Sequence, residues 1–313
     1  MPSPDAAAPS AAAPSAAIVT TTSRRLRDLL EPVIGSVYFA PECHREYVGL
    51  GFAASPGKAG GVELPDGPAY FTSRGSCMGQ VPGEVVAAAF GVFNPAAVVP
   101  AVAYGWSLTD ATTIAAARTR GATAQLVRLL GDSPSGLVRA SELLERAVTP
   151  LQPAGRHLFA GLLSLAMPAD PIGRMWRLGD LLREYRGDSH NAAWCAAGLD
   201  AVEIGLLTEV YIGVPMHSYI RTRAWTDAQV ADAIARLERR GWVAGNTLTD
   251  DGSRVREEIE RATDRQMRAS VAALGQDADE LFAILEPWGA RVRAGGGYLA
   301  GGADDLAKAV SAG

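Results

Sequence analysis

Aromatic residues, cysteines and long apolar runs are all scarce in this sequence. Phe, Trp and Tyr make up only 7% of the 313 residues, but 48% are hydrophobic, so a core can still form. This composition excludes a wholly disordered chain. The most apolar window, residues 81–106, is interrupted by Glu84, Asn94 and three prolines. Because a membrane helix needs about 20 consecutive apolar residues, no membrane span is expected.

The few cysteines indicate the compartment. Cys43, Cys77 and Cys195 are widely separated and odd in number, unlike the cysteines of a disulfide framework. Residues 1–22 are rich in Ala, Pro and Ser and lack the basic segment and apolar run of a signal peptide. We therefore expect a cytoplasmic protein with a disordered tail at residues 1–22.

Histidine is equally scarce, and its spacing predicts no metal site. The four histidines are His44, His157, His190 and His217. They show no His-x-His or His-x-x-x-His pattern, and the sequence contains no Cys-x-x-Cys pair. A metal site would have to be assembled from distant segments. We expect no metal and no cofactor.

The charge is nearly balanced. The chain has 29 basic and 34 acidic side chains, a formal charge of -5. Binding to nucleic acid normally needs a concentrated basic face. DNA binding would therefore have to use a local basic patch.

The length suggests about two domain-sized units. Helical periodicity begins at Ser23, where Leu26, Leu29 and Leu30 recur at spacings of three and four. Similar patterns continue through most of the chain. The residues between 149 and 155 form the most plausible boundary between two halves, and a glycine-rich flexible tail is expected at residues 295–313.

The most specific pattern lies between residues 225 and 264. Trp225-Thr-Asp opens a helix that ends before Gly241, and Gly245-Asn246 is a tight-turn pair between two short strands. Leu248-Thr-Asp-Asp-Gly252 then leads into a long charged helix. This order resembles the winged helix of MarR-type regulators. The resemblance implies DNA binding and dimers that are joined by their terminal helices.

A second set of motifs is similar to an actinobacterial family of poorly characterised helix-turn-helix proteins. The motifs are Phe71-Thr-Ser-Arg74, Ala89-Phe-Gly-Val-Phe-Asn-Pro95, Leu182-Arg-Glu-Tyr-Arg-Gly-Asp-Ser-His190 and Ala197-Gly-Leu-Asp200. This resemblance covers most of the chain beyond the first 22 residues. It implies no settled activity.

A weak internal repeat extends the winged-helix interpretation to the first half of the chain. Arg74-Gly-Ser precedes Trp106 in the first half, and Arg186-Gly-Asp precedes Trp225 in the second. This similarity reflects either internal duplication or chance. We expect a mainly α fold of two winged-helix-like halves, residues 23–150 and residues 151–294, with a small β-hairpin wing. As a MarR-type pseudo-dimer the chain would be a monomer with the helix of residues 26–34 near Leu281; a homodimer is the alternative.

The helix after Trp225 has an unfavourable surface for reading DNA. Its N-terminal half, the part that would enter the major groove, contains Asp227 and Asp232 and no basic side chain. The hairpin is also too short for a basic wing. If DNA is bound, the candidate contacts are Gln229, Arg236, Arg239 and Arg240. DNA binding is thus possible but disfavoured.

The densest polar cluster in the sequence is residues 183–191. If Gly187 ends a helix, the amides that follow form a new helix N-terminus that could bind an anion. Arg183 and Arg186 would donate to this anion, and we include Arg74 and Trp194 in the same predicted ligand site. The predicted ligand is a small molecule and could be anionic.

The same cluster contains candidate catalytic residues. His190 titrates near neutral pH and could act as a general acid or base, with Asp188 orienting it. In the alternative interpretation Asp188 only caps a helix, the arginines pair with Glu184 and Glu203, and His190 packs in the core.

Two functions of different class follow from these patterns. The first is a small-molecule-binding protein on a winged-helix scaffold with an impaired DNA-reading surface. A biosynthetic or modifying enzyme is one form of this first hypothesis. The second is a ligand-responsive, MarR-like transcriptional regulator. The sequence leaves open whether any reaction is catalysed.

Overall fold

A computed structural model describes residues 13–300 and residue 305. The described chain is mainly α-helical, as predicted, and none of its helices is both long and apolar enough to cross a membrane. The first eight helices are α1 (Ala16–Ile34), α2 (Pro41–Gly49), α3 (Gly67–Gly75), α4 (Gly83–Phe90), α5 (Pro95–Leu108), α6 (Ala111–Leu130), α7 (Leu137–Val148) and α8 (His157–Ser164). The later helices are α9 (Pro171–Ala196), α10 (Ala201–Tyr211), α11 (Asp227–Arg239), α12 (Asp250–Gln266), α13 (Arg268–Leu274) and α14 (Ala278–Ala294).

Short strands and 3-10 helices complete the secondary structure. The strands form two antiparallel pairs, β1 (Lys58–Ala59) with β2 (Val62–Glu63) and β3 (Val243–Ala244) with β4 (Thr247–Leu248). The 3-10 helices are Gly35–Phe39, Ser76–Met78, Tyr219–Arg223 and Gly275–Asp277. The 3-10 helix Tyr219–Arg223 lies between α10 and α11, where a helix-turn-helix has its first helix.

The larger hydrophobic core is built from α1 to α9 together with α13 and α14. Its centre is Trp176, which is fully buried and donates from Nε1 to the carbonyl oxygen of Ile34, 3.3 Å away. Helix α1 packs against α14, so the predicted contact of residues 26–34 with Leu281 is confirmed. Because this core contains both Leu144 and Leu158, it crosses position 150, and the division into halves stays a prediction.

The smaller core holds the winged-helix region together. It combines the end of α9 with α10, α11, β3 and α12. The predicted hairpin is present: Val243 pairs with Leu248, and Gly245 has a positive φ of 59° in the turn between the strands. Gly241 ends α11 with a φ of 70°, as its predicted position after the last helical residue requires.

The structure corrects both predicted tails. Helix α1 begins at Ala16, because Ser15 Oγ caps it by accepting from the amide of Ile18 at 3.3 Å and the following alanines favour a helix. The predicted disorder of residues 16–22 is therefore wrong, and residues 1–12 lie outside the described part. At the other end residues 295–300 pack on the body, where Leu299 is 1% exposed. Of the predicted tail 295–313, only these six residues and residue 305 are described.

Helix α9 contradicts the predicted break at Gly187. It is one continuous helix of 26 residues from Pro171 to Ala196. Its buried side chains include Tyr185 and Asp188 on either side of the glycine. Packing along the helix outweighs the intrinsic cost of one glycine, which is about 1 kcal/mol. There is no helix N-terminus at residues 188–191 to bind an anion.

Gly187→Ala is therefore expected to stabilise the protein by about 0.5–1 kcal/mol, since alanine favours a helix interior. An added Cβ would be 3.7 Å from the nearest atom, Glu184 Oε2, so no clash offsets the gain. Urea denaturation followed by circular dichroism measures the change. Destabilisation by this substitution would instead support a helix that ends at Gly187.

Candidate functional site

Four of the predicted site residues line one cleft. Arg74 on α3 and Arg183, Arg186 and His190 on α9 face a cavity of about 220 Å³ against α1, which we call the polar cleft. Trp194 lies elsewhere: it is buried in the smaller core and donates to the side chain of Asn191, 3.2 Å away. The polar cleft therefore assembles most, but not all, of the predicted ligand site.

The arginines of the polar cleft are already paired with carboxylates. Arg74 donates to both oxygens of Glu184, at 2.9 and 2.7 Å, and Arg183 donates to both oxygens of Glu31, at 2.8 and 3.1 Å. Burial by itself would raise the pKa of Glu184, but the guanidinium groups of Arg74 and Arg183 lower it to about 2. An anionic ligand would have to compete with these ionised carboxylates.

The third predicted arginine of the cleft, Arg186, is paired as well. Arg186 Nη2 lies 2.5 Å from Glu260 Oε1 and 3.0 Å from Asp264 Oδ1 on α12. In the alternative interpretation of the sequence, the arginines of this cluster pair with Glu184 and Glu203. The structure confirms the pairing with Glu184, whereas Glu203 pairs with Arg236. Ion pairs between helices account for most of the positive charge that the sequence places in this cluster.

Asp188 and His190 face different parts of the protein. Asp188 Oδ2 accepts from the amide of Phe159, 3.0 Å away, and so caps the start of α8. The side chain of His190 is bonded through Nδ1 to Thr263 Oγ1 on α12, at 3.1 Å. Two residues apart on a continuous helix, these side chains point in different directions. Asp188 therefore does not orient His190, and a catalytic role for either residue stays a prediction.

Asp188 and His190 are expected to affect stability in opposite directions between pH 4 and pH 7. Burial raises the pKa of Asp188 to about 7 from its ordinary 3.8, so its folded state retains a proton and its contribution falls as pH rises. Burial lowers the pKa of His190 to about 4 from 6.5, so its contribution rises with pH. Relative to the wild type, Asp188→Asn should therefore make stability rise more with pH, and His190→Gln should make it rise less or fall, in urea titrations across this range. Parallel curves for wild type and both variants would contradict this expectation.

A second and larger cleft gathers a third of the aromatic residues. Its volume is about 390 Å³, and we call it the aromatic cleft. Seven of the chain's 21 aromatic side chains line it: Tyr38, Phe39, Tyr70, Phe71, Phe93, Tyr219 and Tyr298. The rings of Tyr38 and Tyr70 meet edge to face with centroids 5.1 Å apart, as do those of Phe71 and Phe93. Such a wall suits flat apolar molecules.

The aromatic cleft lies between the helical body and the winged-helix region. The body supplies rings from the start of α3, from the loop between α4 and α5 and from the segments that follow α1 and α14. The winged-helix region supplies Tyr219, Thr222 and Arg223. The ion pair of Glu31 and Arg183 lines both clefts, so it forms a shared wall.

Arg223 is the exceptional charge of the aromatic cleft. Its guanidinium carbon lies 4.5 Å from the ring centre of Phe93 and 4.4 Å from that of Tyr219. It also donates to the hydroxyl of Tyr219. Within the described part of the chain, no carboxylate forms an ion pair with it.

Sequence reasoning missed the aromatic cleft. Its rings are scattered from Tyr38 to Tyr298 and show no common spacing. One signal was present, because Phe71 and Phe93 belong to the motifs that carry the helix-turn-helix resemblance. Both residues line the cleft, and Arg74 and Phe90 of the same two motifs contact each other, with 4.4 Å between the guanidinium carbon and the ring centre.

Most of the candidate DNA contacts on α11 are used within the protein. Gln229 Oε1 accepts from the amide of Thr226 at 3.1 Å and from Asn94 Nδ2 at 3.3 Å. Arg236 pairs with Asp200 and with Glu203. Arg240 donates to the carbonyl oxygen of Gly198 at 3.1 Å and stacks on Trp242. Of the three candidate arginines, Arg239 alone is exposed with no ion pair to another described residue.

The exposed start of α11 is acidic. Asp227 and Asp232 are both exposed, and no basic side chain lies between them. The wing tip adds Gly245 and Asn246, which carry no charge. Between residues 13 and 300, and at residue 305, no three His, Cys, Asp or Glu side chains are grouped as a metal site requires.

Comparison with known proteins shows a match to a family. The profile of a family described as "Helix-turn-helix family" matches residues 23–299. No curated protein and no solved structure matches the chain. The matched range includes every residue that lines the two clefts and the whole winged-helix region.

Proposed function

The chain belongs to the helix-turn-helix family, and from this premise we propose that it is a small-molecule-binding protein whose ligand occupies the aromatic cleft. The observation that carries the proposal is the concentration of seven aromatic side chains around one open volume of about 390 Å³. Only 7% of the residues are aromatic, and such large side chains contribute most to stability when a core buries them completely. The volume lies within the usual range of ligand pockets, roughly 300–1,000 Å³.

The surface of α11 supports a function other than sequence-specific DNA reading. Base recognition needs Arg, Lys, Asn or Gln side chains that are free to enter the major groove. Gln229, the only such side chain in the first half of α11, already bonds to Thr226 and Asn94. Asp227 and Asp232 would repel phosphates at the same place. A helix-turn-helix fold does not by itself determine function.

A thermal-shift screen of aromatic metabolites tests the proposal when the wild type is compared with a filled-cleft variant. Thr222→Trp places an indole in the aromatic cleft. Thr247→Trp, on the exposed wing, is the matched control, because both threonine hydroxyls donate to the carbonyl oxygen three residues earlier. Ligands should raise the melting temperature of the wild type and of Thr247→Trp but not that of Thr222→Trp. Equal shifts in all three proteins would place the ligand elsewhere and contradict the proposal.

The second candidate is a ligand-responsive, MarR-like DNA-binding regulator. Family membership favours it, together with Arg239 at the end of α11, which is exposed and has no ion pair with another described residue. This candidate includes the finer hypotheses of internal duplication and a pseudo-dimer. An electrophoretic shift experiment at low salt separates the candidates. Specific sites whose binding is lost in Arg239→Ala would support the regulator, and the absence of specific sites would support the small-molecule-binding protein.

A further inference from the structure

Of the two arginines that line the aromatic cleft, one has no carboxylate partner among the described residues. Arg183 is neutralised by Glu31, and behind this pair Arg74 is neutralised by Glu184. This network contains two positive and two negative groups. Arg223 remains as a positive charge without a carboxylate partner among the described residues.

Aromatic contacts fix the position of the Arg223 side chain, which forms no ion pair with another described residue. The rings of Phe93 and Tyr219 hold the guanidinium, with centroids 4.5 and 4.4 Å from its central carbon. The contact with the Tyr219 hydroxyl uses only Nη2. The other N–H groups of Arg223 make no hydrogen bond within the described part of the chain, so they can donate to a ligand.

We infer that the aromatic cleft binds a flat, multi-ring aromatic anion whose acidic group pairs with Arg223. This inference rests on the proposed function, which makes the cleft a ligand site. The rings of the ligand pack against the phenyl and phenol groups of the wall, and its carboxylate or enolate supplies the missing counter-charge. A carboxylate matches the forked donors of a guanidinium. In the partly apolar cleft this pair is stronger than at an exposed site.

The bound anion also contacts the helix-turn-helix itself, because Tyr219 and Arg223 lie directly before α11. His217 and Ala224 flank their 3-10 helix in the sequence and have positive φ angles of 69° and 60°. This backbone conformation costs energy for residues other than glycine. Asn94 holds the segment that follows this helix, because its Nδ2 donates to the carbonyl oxygen of Ala224, at 2.9 Å. A ligand on Arg223 therefore stabilises the segment that positions the start of α11.

Three naphthalene derivatives with a negative, a neutral and a positive one-carbon substituent test the inference on the full chain. Calorimetry with naphthoate, naphthylmethanol and naphthylmethylammonium should show that the wild type prefers the anion over the alcohol by about tenfold, the effect of one charge-assisted pair. Arg223→Gln should remove this preference. Arg221→Gln, the matched control on the same segment but outside the cleft lining, should keep it. Circular dichroism and the melting temperature verify the fold of both variants.

The outcomes separate the inference from the proposed function. Equal binding of the anion and the alcohol, or a preference for the cation, overturns the inference and leaves the ligand cleft in place. Binding of none of the three overturns the proposed function as well. Hydrogen exchange adds a second measurement: slower exchange of the amides at residues 224–230 in the naphthoate complex supports the link to α11, and unchanged exchange there overturns it.

Discussion

Glu184→Gln is expected to lower the free energy of unfolding by about 3–5 kcal/mol, because it removes the charge from one member of a buried ion-pair network. The carboxylate is 2% exposed and accepts from Arg74, from Arg183 at 3.0 Å and from the hydroxyl of Tyr38 at 3.3 Å. Without its charge, the mostly buried guanidinium of Arg74 has no anionic partner among the described residues. Urea denaturation at neutral pH, followed by circular dichroism, measures the loss.

Glu258→Gln is the control for this prediction. Glu258 pairs with Arg265 at 2.9 Å, but both side chains are more than half exposed. An exposed pair contributes about 0–1 kcal/mol, so this substitution should change stability little. Similar losses in the two variants would show that burial does not strengthen the contribution of Glu184.

The winged-helix region could be predicted from sequence because its signals are local. A two-residue turn, Gly245-Asn246, specifies the hairpin, and Gly241 ends α11 with the positive φ that glycine adopts readily. Thr226 caps α11 by accepting from the amide of Gln229 at 3.3 Å. Each signal acts over three or four residues, so no knowledge of the tertiary structure is needed to interpret it.

The pairing of the predicted arginines with carboxylates could not be predicted because the partners are distant in sequence. Glu31, which neutralises Arg183, precedes it by 152 residues. The amide that Asp188 caps belongs to Phe159, and the hydroxyl bonded to His190 belongs to Thr263. Before these partners are known, buried structural arginines and a ligand site look the same in sequence. The convergence of Arg74 with residues 183–190 was predicted, but its compensation by carboxylates was not.

The aromatic cleft could not be predicted for a related reason. A buried aromatic and one that lines a cleft have the same residue type and local pattern. The difference depends on how the body and the winged-helix region pack, which brings Tyr298 and Tyr219 to one cavity. Scarcity is the useful signal: where aromatics are few, seven rings around one open volume indicate a surface that does more than fill a core, although Phe71 and Phe93 also belong to the larger core.

Gly252→Ala is expected to destabilise the protein by about 1–3 kcal/mol, because overpacking against backbone forces the structure to shift. Gly252 lies in the first turn of α12, where an added Cβ would be 2.0 Å from the carbonyl oxygen of Trp242 and 2.8 Å from its carbonyl carbon. The wing is held there by a bond from the amide of Thr249 to that same oxygen, at 3.1 Å. The hairpin cannot move away without breaking this bond.

This clash explains why a glycine ends the Leu248-Thr-Asp-Asp-Gly252 motif: the backbone of the wing and the backbone of α12 come into direct contact at that position. Ser253→Ala, at the next and exposed position of α12, should change the free energy of unfolding by less than about 0.5 kcal/mol. Urea denaturation of the two variants compares them directly. If Gly252→Ala were as mild as Ser253→Ala, the wing would be able to separate from α12 at little cost, and the motif would reflect something other than this contact.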